Sequence, residues 1–325
     1  MKSDTAKRII EYAKQKGSVT AHELSGYLGI SPQAVFRQLA KLIIQNKLSK
    51  IGKPPKVYYS IARFVSTSGE LSLPEDIQAR INGNFYLITP SGISMDGVEA
   101  FRFWCQKQNL GVVKTAEEYV VTLKKYEAFK KDGFIDGSRK FRTTFEKVYL
   151  DKVFYLDFYA IERFGKTRLG QLLLYAKQTQ DRRQIFELAD RIKPFVCRLI
   201  IEQHIDAVGF IPPTIKREVQ LMKELQRRLM LKQPGVSFVK VKTPVIVPQK
   251  TLNKLEDRVE NAATTIIVDE KQVYKNILLI DDAVGSGATL NETARQIREK
   301  GICKGNIIGV AITGSFKGFD VISEV

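Results

Sequence analysis

The stretch Asn276–Leu290, NILLIDDAVGSGATL, decides how this chain is read. Ile277–Ile280 puts four apolar residues in a row, as in a strand buried on both faces. Two adjacent acids follow, Asp281 and Asp282, and then the small-residue run Ala283-Val284-Gly285-Ser286-Gly287-Ala288-Thr289. Leu290 opens an amphipathic helix to Lys300, which Gly301 stops. Asn306–Thr313 (NIIGVAIT) reads as the next buried strand. Strand, loop, helix and strand make a βαβ unit, so the fold class expected here is α/β with a parallel sheet.

The loop has a legible chemistry. Its glycines let the backbone turn tightly and aim several N–H groups into one hollow. The helix amino terminus adds partial positive charge, which suits a phosphate monoester, and Ser286 and Thr289 add hydroxyl donors. The two carboxylates cannot favour that phosphate. They suit neutral hydroxyls two or three bonds away, as on a ribose. A ribose 5-phosphate site fits both halves. A P-loop would need Gly-Lys-Ser/Thr, and in a dinucleotide fingerprint the glycines precede the acid by about 20 residues.

This stretch resembles the PRPP-binding motif of type I phosphoribosyltransferases. The resemblance implies that Asp281 and Asp282 hold the ribose 2′- and 3′-hydroxyls and that Gly285, Ser286, Gly287, Ala288 and Thr289 bind the 5′-phosphate. Mg²⁺ would arrive with PRPP, with no metal site made by protein ligands alone. Two positions depart from the pattern: Gly285 replaces a hydroxyl or small apolar side chain, and Ala283 a larger aliphatic one. Upstream, Ala207–Ile211 (AVGFI) is a short apolar strand reaching Pro212-Pro213, with a helix from Glu218 to about Leu231. In that family the intervening loop binds pyrophosphate, for which Lys216 and Arg217 are the available cations. Gln249, Leu252, Arg258 and Asn261 are spaced as in the ComF branch of the family, where the equivalent region is a mobile hood. Ordinary surface charge is the competing reading for Lys216, Arg217 and Arg258. The resemblance covers roughly residues 150–325. The zinc ribbon common in ComF chains has no counterpart.

The chain's 325 residues carry 52 Lys and Arg against 35 acids, a formal charge of +17. Residues 1–63 hold twelve basic residues and three acids, more than half of that excess. Charge concentrated in one segment points to a nucleic-acid module. In that segment Ala6–Lys16 reads as a helix stopped by Gly17. Thr20 and Glu23 form a capping-box pattern for a second helix to Leu28, ended by Gly29. Ser31-Pro32 starts a third helix with Val35, Leu39, Leu42 and Ile43 on its apolar side. Two strands around the basic turn Gly52–Lys56 follow. Three helices and a hairpin resemble a winged helix-turn-helix. For double-stranded DNA the groove candidates are Gln33, Arg37, Gln38 and Lys41, and the backbone candidates are Lys50, Lys53 and Lys56. Protein docking is the alternative use of such a module.

Three domains are therefore expected: 1–63, a middle segment 64–149 that bridges or dimerises, and 150–325. In the middle, 64–73 reads as a linker, 84–89 as a strand, 96–108 and 116–131 as helices, and Gly133–Gly137 as a turn. Trp104, Phe101 and Phe103 read as core. Cys105, Cys197 and Cys303 lie far apart, with only His22 and His204 beside them, which excludes a disulfide framework and a zinc knuckle by spacing. The charged start and the lack of a long apolar run indicate a cytoplasmic protein. A DNA module joined to a PRPP site, an architecture similar to the purine repressors, implies a PRPP-responsive transcription regulator, possible as a homodimer. The other expectations are an active phosphoribosyltransferase acting on a nitrogen nucleophile, its catalytic residues unknown, or a ComF-like DNA uptake or processing protein.

Overall fold

A computed structural model describes residues 2–44, 47–53, 56–61, 73–213, 217–241, 247 and 251–315. The chain divides into two compact units, Met1–Leu71 and Ser72–Val325.

In the first unit, helices Lys2–Lys16, Ala21–Leu28 and Pro32–Ile44 pack with a three-stranded antiparallel sheet. Its central strand, Lys56–Ile61, lies between Ser18–Val19 and Leu48–Lys53. The local signals act as the residues dictate. Thr20 accepts the Glu23 N–H at 3.2 Å while the Glu23 carboxylate accepts the Thr20 N–H at 2.6 Å, closing the capping box. Gly29 ends that helix with φ +65°. Ser31 Oγ accepts the Ala34 N–H at 3.3 Å at the start of the third helix. Ile9, Ala13, Leu24, Val35, Leu39, Leu42, Leu48 and Tyr59 close over one buried core.

The second unit is α/β. Its six-stranded sheet runs in the order Lys130–Lys131, Phe134–Asp136, Lys152–Phe158, Ile307–Gly314, Ile277–Val284, Ala207–Phe210. The last four strands are parallel and the first two antiparallel. Both faces are buried. Val153, Tyr155, Ile277, Leu279 and Ala311 belong to one cluster, and Leu156, Leu278, Ile280, Val310 and Ile312 to the other, the period-two alternation of a doubly covered sheet. Helices Arg168–Thr179, Arg182–Glu202 and Leu221–Leu229 cover the second face, while Ala288–Glu299, Gly97–Lys107 and Val112–Glu127 supply the first cluster. Phe101 and Trp104 sit in that first cluster against Phe85 and Phe164, as core residues.

The structure redraws several boundaries. Residues 73–149 share the core and the sheet of the unit that follows, where the sequence pointed to a separate bridging segment. Within the expected turn 133–137, Phe134–Asp136 is a strand, because its backbone groups pair with Tyr155 and Phe154 of the neighbouring strand. The linker expected at 64–73 lies outside the described residues except for Leu73, which is buried. The acidic strand runs on to Val284, so Asp281 and Asp282 lie on it rather than after it, held by the pairing of Asp281 with Ala311 and of Ala283 with Thr313 on the next strand. Among the described residues, no helix is long and apolar enough to cross a membrane.

Candidate functional site

The four parallel strands end at one edge of the sheet, where ligands of open α/β sheets bind. Asp281 and Asp282 stand there. Neighbouring strand residues point to opposite faces. Asp282 therefore shares the face of Leu278 and Ile280, which is covered by the helix Arg168–Thr179. Lys177, in the last turn of that helix, reaches Asp282 with Nζ–Oδ2 at 2.8 Å, and the two side chains are only 18% and 15% exposed. Asp281 turns its Oδ1 back to accept the Asp282 N–H at 2.8 Å. Burial, and then the neighbouring Asp282 charge, push the Asp281 carboxyl well above the ordinary carboxylate range. The Asp282 N–H and Lys177 pull it the other way.

The small-residue loop follows directly. Gly287 is the N-cap of helix Ala288–Glu299, with φ +86°, and as a glycine it offers no side chain to cap that end. A Cβ on Gly287 would lie 2.4 Å from the ring of Phe141, a fully buried residue of helix Ser138–Thr144. Backbone sign and lack of space both demand glycine here. Ser286 is buried and its Oγ accepts the Ala288 N–H at 3.3 Å, while Thr289 is half-buried in the first turn. Beyond the Ala288 N–H that Ser286 meets, the first turn presents N–H groups and the positive dipole end of the helix to an outside acceptor, which an oxyanion satisfies. Gly285, Ser286, Gly287, Ala288 and Thr289 are thus brought together beside Asp281 and Asp282 along one continuous backbone. The helix is anchored from behind by Asn291, which accepts the Tyr149 N–H at 2.9 Å and donates to the Lys147 carbonyl at 3.0 Å.

Lys216 lies outside the described residues. Arg217 donates to the backbone carbonyl of Lys177, and Gln180 Oε1 accepts the Val219 N–H at 2.9 Å. The 217–220 segment is therefore tied to the end of the helix that carries Lys177. Gln220 in turn donates to the Arg217 carbonyl at 2.6 Å. In the expected hood, Gln249 lies outside the described residues. Arg258 is buried and donates to the Leu252 carbonyl at 2.7 Å, and Asn261 donates to Val247 at 3.4 Å. These two side chains brace their own segment, so the surface-charge reading of Arg258 does not hold; burial lowers its guanidinium pKa.

Sequence reasoning missed two lysines. Lys177 gave no signal beyond its place on an amphipathic helix. Lys240, on the hairpin strand Phe238–Lys240, donates to the Pro213 carbonyl at 2.5 Å, and burial pushes its ammonium down to about 8. The PRPP resemblance implies Mg²⁺. Among the described residues no three His, Cys, Asp or Glu side chains gather as a metal site. Two carboxylates at a strand end fit Mg²⁺ only as part of its oxygen shell, with phosphate oxygens and water supplying the remainder, which is how Mg²⁺ is usually held on phosphorylated ligands.

In the first unit, Gln33, Arg37 and Lys41 are exposed and Gln38 half-buried on helix Pro32–Ile44, opposite Val35, Leu39 and Leu42. Lys50 is exposed on the first hairpin strand. Lys53 and Lys56 close the paired hairpin strands, and their side chains lie outside the described residues. Phe36, not singled out by sequence, stands 54% exposed within this polar stripe. Its spacing of three residues from Gln33 places it on that residue's face.

Comparison of the chain with protein-family models finds no match, and comparison with curated proteins finds none either.

Proposed function

We propose that Ser72–Val325 is a phosphoribosyltransferase-type unit that binds PRPP with Mg²⁺, and that Met1–Leu71 is a winged helix-turn-helix that binds double-stranded DNA. Together they make a PRPP-responsive transcription regulator. The observation that carries the ligand assignment is the glycine N-cap that starts helix Ala288–Glu299. It follows, at the carboxyl edge of a parallel sheet, a strand with two acids among its last four residues, with Gly287 enforced by Phe141. Support for the DNA assignment comes from three helices followed by a paired hairpin, with Gln33, Arg37, Lys41 and Lys50 on exposed faces.

The coupling follows from linkage. A ligand that prefers one of two states shifts DNA affinity by its own difference in affinity between them. The test is a gel shift on genomic DNA fragments with and without millimolar PRPP and Mg²⁺. A retained fragment whose affinity moves with PRPP supports the reading. Retention indifferent to PRPP, or no retention at all, refutes it. Pyrophosphate release with nucleobases present separates a substrate role from an effector role.

A further inference from the structure

We infer that Lys177 sets the ligand selectivity of this site, by holding Asp282 against any ribose phosphate that arrives without both a divalent cation and extra anionic charge. The inference rests on the ribose-phosphate reading above and adds to it a residue and a rule of discrimination.

The physical starting point is what occupies Asp282. Its carboxylate is engaged by the Lys177 ammonium at 2.8 Å, with little solvent reaching either side chain. An ion-paired hydrogen bond is roughly twice as strong as a neutral one. The hydroxyls of a sugar are neutral donors, so they do not displace an ammonium from this carboxylate. Ribose 5-phosphate brings only those hydroxyls and one phosphate, and its phosphate is already met by the Gly285–Thr289 loop. It therefore meets an Asp282 that is taken. A sugar carrying a diphosphate and a bound divalent cation offers two things more. The cation gives Asp282 a stronger partner than Lys177, and the diphosphate gives the released ammonium a new anion. Both charges that the ion pair satisfied are then satisfied again, and neither is left stranded in a poorly solvated place.

Position supports the same exchange. Lys177 lies in the last turn of its helix, where a cation is already favoured by the carbonyl end, and four methylenes give its ammonium room to swing. Its backbone carbonyl receives Arg217, and Gln180 just beyond holds Val219. The segment in which a diphosphate-binding cation was expected is thus fastened to the same helix end. Release of Lys177 from Asp282 and engagement of the 217–220 segment take place at one point of the structure.

The test uses the full chain and isothermal titration with two probes, PRPP with Mg²⁺ and ribose 5-phosphate with Mg²⁺. In the wild type PRPP binds much more tightly than ribose 5-phosphate. In Lys177→Gln, whose amide still donates one neutral hydrogen bond to Asp282, the preference falls by about tenfold or more, an energy of about 1.4 kcal/mol per decade. The fall comes from tighter ribose 5-phosphate and weaker PRPP. Lys177→Arg, which keeps the charge, retains the preference within about twofold. Lys177→Met serves as a second neutral variant, and melting curves confirm that each chain is folded. A preference unchanged in both neutral variants overturns the inference while leaving the ribose-phosphate reading standing. Wild-type protein that binds neither probe, or whose binding is untouched by Thr289→Ala, removes the reading and the inference together.

Discussion

Two neighbouring carboxylates with opposite surroundings give opposite answers to the same substitution. Asp281→Asn removes a charge that the fold resists: burial and Asp282 both raise the proton affinity of that carboxyl. The amide oxygen of the new side chain still accepts the Asp282 N–H that Oδ1 accepts now. A group whose folded proton affinity is raised contributes stability at pH below its unfolded value, near 4, and loses it as pH climbs through the higher folded value. Asparagine does not titrate. The stability gap between variant and wild type therefore opens as pH rises above about 4 and is full at mildly alkaline pH. A tenfold change in proton affinity is worth about 1.4 kcal/mol. The rise is already net of the opposing pull of Lys177 and spans several decades, so the expected gain is at least about 2 kcal/mol at pH 8, or at least about 4–8 °C in melting temperature for a unit of this size. Asp282→Asn, in contrast, strips Lys177 of its partner at 2.8 Å and lowers the melting temperature. The assay is thermal unfolding of the two variants and wild type at pH 5 and pH 8. An Asp281→Asn protein that melts no higher than wild type at pH 8, or both variants moving in the same direction, refutes the electrostatic account. Asp281→Asn is also expected to weaken PRPP binding at least tenfold, so that one change stabilises the fold and disables the site, the usual mark of a functional group kept at a cost.

Further outcomes are expected from other contacts. Gly287→Ala forces a Cβ to 2.4 Å from Phe141 at φ +86°, so destabilisation by about 2–4 kcal/mol is expected in denaturant titration, with Phe141→Leu recovering part of it. Lys240→Met raises the melting temperature at pH 7 and not near pH 10.5, since burial disfavours only the charged amine; an equal effect at both values counts against that cause. Thr20→Ala removes the hydroxyl that accepts the Glu23 N–H, leaving only the backbone half of the capping box, and lowers the stability of the first unit by about 1 kcal/mol, read from exchange protection of Ala21–Leu28. In gel shifts, Lys50→Ala weakens DNA retention alike for all sequences and reduces the salt slope by about 1, the behaviour of a phosphate contact; an unaltered slope removes Lys50 from the interface.

Much of the skeleton was legible in the residues alone because its causes are local. A Thr and a Glu three positions apart close a capping box whatever surrounds them, and Gly29 and Gly301 end helices by adopting a backbone sign that other residues resist. The four-residue apolar run Ile277–Ile280 and the strand after it had to be buried on both faces, and they are. The phosphate-loop candidates were legible for the same reason, since they occupy one short piece of backbone. Strand Phe134–Asp136 was not, because Gly133 and Gly137 on either side read as turn residues and only pairing with Lys152–Phe158 makes the segment extended. Nor was the merging of residues 73–149 with residues 150–315, which depends on Trp104 and Tyr119 finding Phe164 across the core.

By itself, then, the order of residues determined an α/β unit with a glycine turn opening a helix and a basic three-helix segment before it, through caps, periodicity and charge. Only the tertiary structure decided that Lys177 closes on Asp282, that Phe141 fills the space beneath Gly287, and that Arg258 is spent inside its own segment. The first two contacts join residues distant along the chain, and the third depends on how its segment folds back. Their energies depend on burial and separation, quantities that a linear sequence does not contain.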